Sequence, residues 1–263
     1  MSIKGLKNFR DLGGIKAGDK HLRKGFLFRS EVPVKVSAEE MLRFRTPFEI
    51  DMLIDLRTQY EAEEKPYTLP EGVEYLHMPM FEESLMGITR DSGSSVGKYL
   101  IRKYNRKEIR HHLPDIEKLY IDVMKEKSVL EMTGKVMRQV ISNTLEWKST
   151  LFHCSWGKDR AGVLAAFLLS LLGVGMAEIV KDYTYTNRAV RSKAIQYAVL
   201  VFLFKQDRVA ARKVWRGSLA KPNYIRGVFE AIESDYGSTE NFFREALGIS
   251  DELRDAFRDR MLI

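Results

Sequence analysis

The segment from residue 149 to residue 173 constrains the fold more than any other part of the chain. It begins with the apolar run STLFHC, continues through the polar stretch SWGKD and ends with RAGVLAAFLLSLLG. A short apolar run, a polar stretch and a long apolar run predict a buried strand, a tight loop and a buried helix. Gly173 lies where such a helix typically ends. A unit of this kind requires a sheet with helices packed against it.

Other short apolar runs supply further strands for this sheet. They are GFLFRS at 25–30, DMLIDL at 51–56 and VEYLHM at 73–78. Helical patterns alternate with them: Ser37 followed by Glu40 resembles a capping box, and apolar spacings of three and four predict helices between residues 114 and 145. We therefore predict an α/β fold with a central parallel or mixed sheet flanked by helices.

The 263 residues are predicted to form one domain with two additions. Residues 81–112 carry three glycines before a basic stretch, so we expect a helical, lid-like insertion above the sheet. From about residue 176 to residue 263 the patterns are helical. Pro222 and Gly237 mark the start and end of one helix, and Ser238 and Ser250 are the expected N-caps of two others.

Positive charge indicates anionic partners. The formal net charge is +7, and residues 85–112 hold seven basic and two acidic residues. A solvated helix face is one interpretation of that cluster. No zinc-finger spacing or RNA-binding aromatic segment accompanies it, so no nucleic acid partner is expected. A basic segment that attracts an anionic substrate fits better.

The single cysteine indicates a reducing compartment. Cys154 has no partner for an internal disulfide. The first residues lack the pattern of a secretory signal, and no apolar run reaches membrane length. We expect a cytoplasmic protein, with leaderless export left open.

Cys154 and Arg160 stand at the two ends of a short segment, which we call the phosphate-binding loop (residues 154–160). Backbone N–H groups and the helix dipole can bind a doubly charged phosphate there, and Gly157 gives the backbone the freedom that the turn requires. The same positive field favours a thiolate, so Cys154 is the predicted nucleophile. The guanidinium of Arg160 can hold two phosphate oxygens.

HCSWGKDRAG at 153–162 resembles the signature loop of cysteine-dependent tyrosine phosphatases: His-Cys, five residues, Arg. With Gly-Lys-Asp before the arginine, it is similar to the bacterial and fungal tyrosine phosphatase-like family, which also acts on phosphoserine, phosphothreonine or phosphoinositides. Other matching motifs are NFRDLGGI at 8–15, LFRS at 27–30, DLRTQYE at 55–61, VKDYTYTN at 180–187 and ESDYGSTENFFREALGIS at 233–250. Their common order and spacing make the resemblance specific.

The resemblance implies hydrolysis of phosphate monoesters, phosphotyrosine first, with phosphoserine and phosphothreonine as further candidates. Cys154 would attack phosphorus to form a cysteinyl-phosphate, while the loop amides and Arg160 bind the phosphoryl oxygens. Neither a metal nor another cofactor is required. The substrate-binding residues are expected to be Ser155, Trp156, Gly157, Lys158 and Ala161.

The general acid is less narrowly defined. Asp159, inside the loop, is the first candidate, and its alternative role is to hold the loop or Arg160 by a salt bridge. Asp55 and Asp91 are the further candidates. Arg57 and Glu61 are expected to brace the fold by an ion pair rather than to contact substrate. His153, on the opposite side of the strand, is expected to order the loop by hydrogen bonds.

Lys158 suggests a phosphoinositide as an alternative substrate, because a lysine beside the loop can pair with a second phosphate on an inositol ring. A solvent-facing lysine would look the same in sequence. The partner is therefore a phosphorylated protein or a phosphoinositide, with an anionic membrane surface as a transient partner. Trp156 is expected to be a hydrophobic plug or one wall of the pocket.

Two further expectations concern Ala161 and the N-terminal motif. The family usually has Thr or Ser where Ala161 stands, so we expect slow breakdown of the phosphoenzyme and retain a weakly active phosphate-binding module as an alternative. Asn8, Arg10, Asp11 and Gly13 are expected near the loop, in a turn with internal hydrogen bonds.

Overall fold

The computed structural model describes residues 2–80, 105, 113 and 115–263. The insertion predicted at 81–112, including the candidate acid Asp91, lies outside the described residues except for Asn105. Among the helices of the described ranges, none is both long and apolar enough to cross a bilayer.

Seven strands form the β-structure of the described chain. They are β1 Arg10–Asp11, β2 Lys16–Ala17, β3 Lys20–His21, β4 Leu27–Glu31, β5 Met52–Asp55, β6 Glu74–His77 and β7 Thr150–Cys154. Five of them make one sheet in the order β1-β4-β7-β5-β6, in which only β1 is antiparallel to its neighbour, and β2 pairs with β3. The four predicted strands and the mixed sheet are confirmed.

Helices lie between the strands β4, β5, β6 and β7 along the chain, and they make up most of the C-terminal half. The described helices are α1 Ala38–Met41, α2 Gln59–Glu64, α3 Ile116–Val123, α4 Lys127–Leu145, α5 Arg160–Leu171, α6 Met176–Tyr185, α7 Asn187–Lys205, α8 Arg208–Ser218, α9 Pro222–Tyr236, α10 Thr239–Glu245 and α11 Asp251–Met261, with a 3-10 turn at Leu42–Phe44.

Local capping determines where several of these helices start and stop. Ser37, Ser238 and Ser250 each accept a backbone N–H bond at an N-terminus, as predicted. Gly237 ends α9 with a φ of 77°. The Glu40 side chain does not complete the predicted capping box, because it accepts a bond from the backbone N–H of Lys4 instead.

Strand β7 lies at the centre of the sheet and is buried on both faces. Leu151 packs with Phe28 and Leu53 on one face, whereas Phe152 joins Ile54 in the larger core on the other. Parallel strands covered on both sides have this continuous apolar character. The end of β7, which carries Cys154, is therefore held in the middle of the protein.

Helix α5 is apolar on all sides because it lies inside the larger core. Nearly all of its residues are buried, and Phe167 makes ring contacts with Phe229, Phe242 and Phe243 of the C-terminal helices. A helix that is hydrophobic all round requires such a cover. The first residue of α5 is Arg160, so the two ends of the phosphate-binding loop are both anchored in the core.

Two helical glycines differ in their surroundings and give a test of this packing. A Cβ at Gly134 in α4 would overlap the carbonyl oxygen of Leu247, whereas a Cβ at Gly227 in α9 would have its nearest neighbour, Ile121 Cδ1, at 3.5 Å. We expect Gly134→Ala to lower the free energy of unfolding by about 1–3 kcal/mol. Gly227→Ala should raise it by about 0.5–1 kcal/mol, as in an open helix. Urea denaturation measures both, and stabilisation by Gly134→Ala would contradict the close packing.

Candidate active site

The phosphate-binding loop makes a tight turn that only glycine fits at its centre. Gly157 has a φ of 64°, and a Cβ there would overlap the carbonyl oxygen of Ser30. The left-handed conformation and the close approach to β4 both favour glycine. Cys154 is buried at the start of the loop, and Arg160 is buried at its end.

One side of the loop is held by carbonyl contacts. The carbonyl oxygen of Gly157 accepts hydrogen bonds from Arg29 Nη2 at 2.7 Å and Asn8 Nδ2 at 2.8 Å. Asn8 Nδ2 also lies 3.3 Å from the carbonyl oxygen of Trp156. Two successive carbonyls are thus directed toward Asn8 and Arg29.

A buried charge cluster supports these contacts. Asp182 pairs with Arg29 at 2.6 Å and with Arg10 at 2.6 Å. Burial and the nearby charge of Arg10 lower the pKa of Arg29 to about 10. Burial alone would raise the pKa of Asp182, but Arg29 and Arg10 together hold it below its ordinary value. The cluster joins the motifs at 8–15, 27–30 and 180–187.

The N-terminal motif therefore does more than form a turn. Asp11 accepts bonds from the backbone N–H groups of Gly13 at 2.7 Å and Gly25 at 2.8 Å, as an internal turn predicts. Arg10 also donates to Asn8 Oδ1. The prediction of internal bonding alone is wrong for Asn8 and Arg10, because Asn8 reaches the loop and Arg10 reaches Asp182.

Glu61 holds the other side of the loop. Its carboxylate forms two bonds with the Arg160 guanidinium, at 2.5 and 2.8 Å, and accepts a third from Ser155 Oγ at 2.5 Å. Burial alone would raise the pKa of Glu61, but Arg160 and Ser155 lower it to about 2. The same ion pair raises the pKa of Arg160. The guanidinium is thus fixed in orientation beside the loop.

Helix α2 places Glu61 at this position. Thr58 is its N-cap and accepts a bond from the Glu61 backbone, while the Glu61 carboxylate accepts one from the Thr58 backbone, so a full capping box is present. Sequence reasoning missed the role of Glu61 at the loop. The T-x-x-E spacing at 58–61 was the available signal, and it locates the start of a helix but not the partner.

Arg57 pairs with Asp55 rather than with Glu61. Arg57 Nη2 lies 2.7 Å from Asp55 Oδ2, and both side chains are buried. An ion pair between Arg57 and Glu61 is therefore wrong, although each residue does belong to a bracing ion pair. Asp55 also accepts a bond from the Tyr75 hydroxyl at 3.1 Å. Its fully buried carboxylate is occupied by these partners, which disfavours Asp55 as the general acid.

The His153 side chain is fully buried, and its hydrogen bond is made with a residue outside the phosphate-binding loop. Its Nε2 lies 2.6 Å from the Tyr67 hydroxyl. Burial, with the charge of Arg57 nearby, lowers its pKa to about 4 although Asp55 opposes the shift. A neutral, enclosed imidazole suits a structural role. The expected hydrogen bond of His153 thus joins β7 to the segment before β6 instead of ordering the loop itself.

Asp159 is the carboxylate of the loop that solvent reaches, since 42% of its side chain is exposed. The Tyr120 hydroxyl donates a hydrogen bond to its Oδ1, and Tyr120 in turn lies 2.8 Å from the Tyr183 hydroxyl. Lys158 Nζ is 3.2 Å from the same oxygen. The salt bridge of Asp159 is thus made with Lys158, while Arg160 is paired with Glu61.

Lys158 is buried, so the interpretation as a solvent-facing lysine is wrong. Its ammonium donates to the carbonyl oxygens of Gly217 at 3.2 Å and Ser218 at 3.3 Å, at the end of α8. A cation is favourable at a helix C-terminus. Lys158, the lysine of the Gly-Lys-Asp motif, therefore connects the loop to α8.

Trp156 connects the loop to α7. The half-buried indole stacks on the Tyr197 ring at 5.5 Å, and Lys193 Nζ lies 5.4 Å from the indole ring. Ala161, fully buried in the first turn of α5, brings no hydroxyl to the loop. Slow breakdown of the phosphoenzyme stays a prediction.

The pH dependence of stability tests the contact between Glu61 and Arg160. The pKa of Glu61 in the folded protein, about 2, lies below its ordinary value of 4.5. The stabilisation is therefore fully present above pH 4.5 and is lost as the pH falls toward 2. We expect Glu61→Gln to cost about 3 kcal/mol at neutral pH, and the difference from wild type should shrink below pH 4.5.

Denaturant melts of wild type and Glu61→Gln across this pH range measure the difference. Glu63→Gln, an exposed change on the same helix, is the matched control and should shift stability by less than about 0.5 kcal/mol. A cost for Glu61→Gln that does not vary with pH would contradict the ion pair.

Sequence comparisons show which known proteins this chain resembles. The sequence profile of the tyrosine phosphatase family matches residues 1–263. The triple specificity protein phosphatase PtpB of Mycobacterium tuberculosis is 26% identical over 281 residues, which cover 99% of this chain and 98% of PtpB.

Two further relatives are similar to this chain. A tyrosine-protein phosphatase of Nostoc commune is 57% identical over 119 residues, which cover 40% of this chain and 36% of that protein. A protein of Cupriavidus necator, provisionally named as a tyrosine-protein phosphatase, is 25% identical over 252 residues, 93% of this chain and 82% of the relative. Because the family profile matches residues 1–263, this chain belongs to the tyrosine phosphatase family and is a phosphatase.

Proposed function

We propose that this phosphatase hydrolyses phosphotyrosine, and with it phosphoserine and phosphothreonine, in protein substrates. The observation that carries the proposal is the loop itself: Cys154 and Arg160 stand at its two ends, and Glu61 fixes the guanidinium by two bonds. Together these features supply a nucleophile and a fixed cation that can bind phosphoryl oxygens. We also propose that the whole chain acts as one domain, since residues as distant as Leu12 and Met261 share one core.

In the proposed reaction Cys154 Sγ attacks phosphorus, and the bond between phosphorus and the ester oxygen breaks. Asp159 would give a proton to the departing oxygen, for which its exposed carboxyl is better placed than the enclosed Asp55. Water then attacks the cysteinyl-phosphate, gives one proton to the Asp159 carboxylate, and releases inorganic phosphate and the Cys154 thiolate. The N-terminus of α5 and Arg160 would stabilise the charge of the phosphoryl group in both steps.

A second proposed substrate is a phosphoinositide. The name of PtpB describes a phosphatase of triple specificity, and Lys158 lies next to the loop that would hold the first phosphate. Its ammonium is 3.2 Å from Asp159 and bonds to the end of α8. A shift from these partners would let it pair with a second phosphate, presented by an anionic membrane. A reducing compartment such as the cytoplasm would keep the catalytic thiol active.

Leaving-group dependence tests the roles of Cys154 and Asp159. Cys154→Ser should abolish phosphate release from every substrate. We expect Asp159→Asn to lower kcat about 10²- to 10⁴-fold on phosphotyrosine and phosphoserine peptides, but much less on p-nitrophenyl phosphate, whose leaving group needs no proton. Asp19→Asn, on the exposed turn between β2 and β3, is the control.

Two outcomes would contradict these assignments. Equal loss on both kinds of ester would assign Asp159 to holding the loop. Absence of turnover in the folded wild-type protein would instead support the phosphate-binding module.

Lys158→Ala tests the second substrate. We expect it to lower kcat/KM on phosphoinositides at least about tenfold, because the second phosphate loses a charge-assisted hydrogen bond, while hydrolysis of phosphotyrosine peptides is retained. Lys181→Ala, an exposed change on α6, is the control. Equal losses on both substrate classes would mean that Lys158 only connects the loop to α8.

A further inference from the structure

The hairpin of α7 and α8, residues 187–218, carries a concentrated positive charge. It holds eight basic residues and one acidic residue, a net charge of +7 that equals the formal charge of the whole chain. The one acidic residue, Asp207, is buried and accepts bonds from the backbone N–H groups of Val209 and Ala210 at the start of α8. The charge that the hairpin displays is therefore positive.

Apolar side chains are exposed on the same hairpin. Ile195, Val199 and Leu203 follow one another at intervals of four, so they share one face of α7. Leu203 is 58% exposed and Phe204, within one turn of the connection to α8, is 66% exposed. Val209 is exposed just after that connection.

The internal packing of the hairpin does not use these side chains. Its own core consists of Val201, Ala210, Ala211 and Val214, with Leu113, Tyr197 and Phe202 packed against it. The exposed apolar side chains are additional to that core. Exposed apolar residues beside arginines and lysines are typical of helices that lie in a lipid interface.

We propose that the hairpin of residues 187–218 docks on an anionic lipid bilayer. The apolar side chains near its tip enter the boundary between headgroups and acyl chains, and the basic side chains contact anionic headgroups. Charge complementarity selects this occupant. A second copy is disfavoured as the occupant, because two strongly positive hairpins would meet. Residues 85–112 of the same chain are disfavoured as well, because their net positive charge would be repelled by the positive hairpin.

Docking would bring the bilayer close to the phosphate-binding loop. Trp156 stacks on Tyr197 of α7, and Lys158 bonds to the last two residues of α8. Both helices of the hairpin thus contact the loop. The proposal does not depend on which phosphate ester is hydrolysed, because the docking surface lies outside residues 154–160.

Vesicle co-sedimentation of the full-length protein tests the proposal. Wild type should bind phosphatidylcholine vesicles that contain phosphatidylserine, should not bind vesicles of phosphatidylcholine alone, and should bind more weakly as salt is added. We expect the double variants Arg212→Glu/Arg216→Glu and Leu203→Ser/Phe204→Ser each to weaken binding at least about tenfold.

Matched controls separate the hairpin from the general properties of the surface. Lys16→Glu/Lys20→Glu makes the same change in net charge on the exposed β2–β3 ladder. Leu42→Ser/Ile263→Ser removes side chains that are 62% and 60% exposed, close to those at the hairpin tip. Both control variants should bind vesicles as wild type does. All four variants change exposed positions, so circular dichroism should show unaltered folding.

Three results would overturn the proposal: no binding to anionic vesicles, equal binding to neutral ones, or equal losses in the hairpin and control variants. Sedimentation velocity of the protein without lipid could give a fourth result that would overturn the proposal. A dimer that dissociates in Leu203→Ser/Phe204→Ser would assign the face to a second copy. Hydrolysis of p-nitrophenyl phosphate, measured in parallel, separates a failure of docking from a failure of the proposed phosphatase reaction.

Discussion

The carbonyl oxygen of Gly157 is the point on which the site depends. Arg29 and Asn8 bond to it from β4 and from the N-terminal segment. A fully buried guanidinium is costly without a counter-charge, and Asp182 of α6 supplies one that it shares with Arg10. The loop conformation is therefore coupled to three separate parts of the chain, and loss of Asp182 would leave the buried charge of Arg29 unpaired.

A second group of contacts acts on the other side of the loop. Glu61 belongs to the capping box of α2. The capping box fixes the Glu61 backbone and one carboxylate oxygen, and the same carboxylate pairs with Arg160. Side chains fixed in this way reduce the reorganisation that substrate binding would require. Carboxylates near the loop thus have different surroundings: Glu61 and Asp55 are enclosed by arginines, whereas Asp159 reaches solvent.

The helical hairpin of residues 187–218 extends this arrangement outward. Lys158 lies against the carbonyl end of α8, where a helix dipole favours a cation, and Trp156 stacks on α7. The residues between Cys154 and Arg160 therefore contact α2, α3, α7 and α8 as well as the sheet. Substitutions in the hairpin core are expected to affect the loop through these contacts rather than through the substrate.

The sequence by itself determined the parts of this structure that depend on neighbouring residues. The strands at 25–30, 51–56, 73–78 and 149–154, the caps at Ser37, Ser238 and Ser250, and the loop between Cys154 and Arg160 were all predicted. Hydrophobic periodicity, capping side chains and turn residues determine local structure over a few neighbouring residues. They can therefore be recognised in the sequence without knowledge of the fold.

Only the tertiary structure decided which charges meet. Arg57 stands four positions from Glu61, yet it pairs with Asp55, and Glu61 pairs with Arg160 across 99 residues of sequence. Lys158 proved to be buried against α8, and Asn8 reached the loop. Ion-pair partners and burial depend on distances that arise when separate strands and helices pack together, and residue spacing along the chain does not contain those distances.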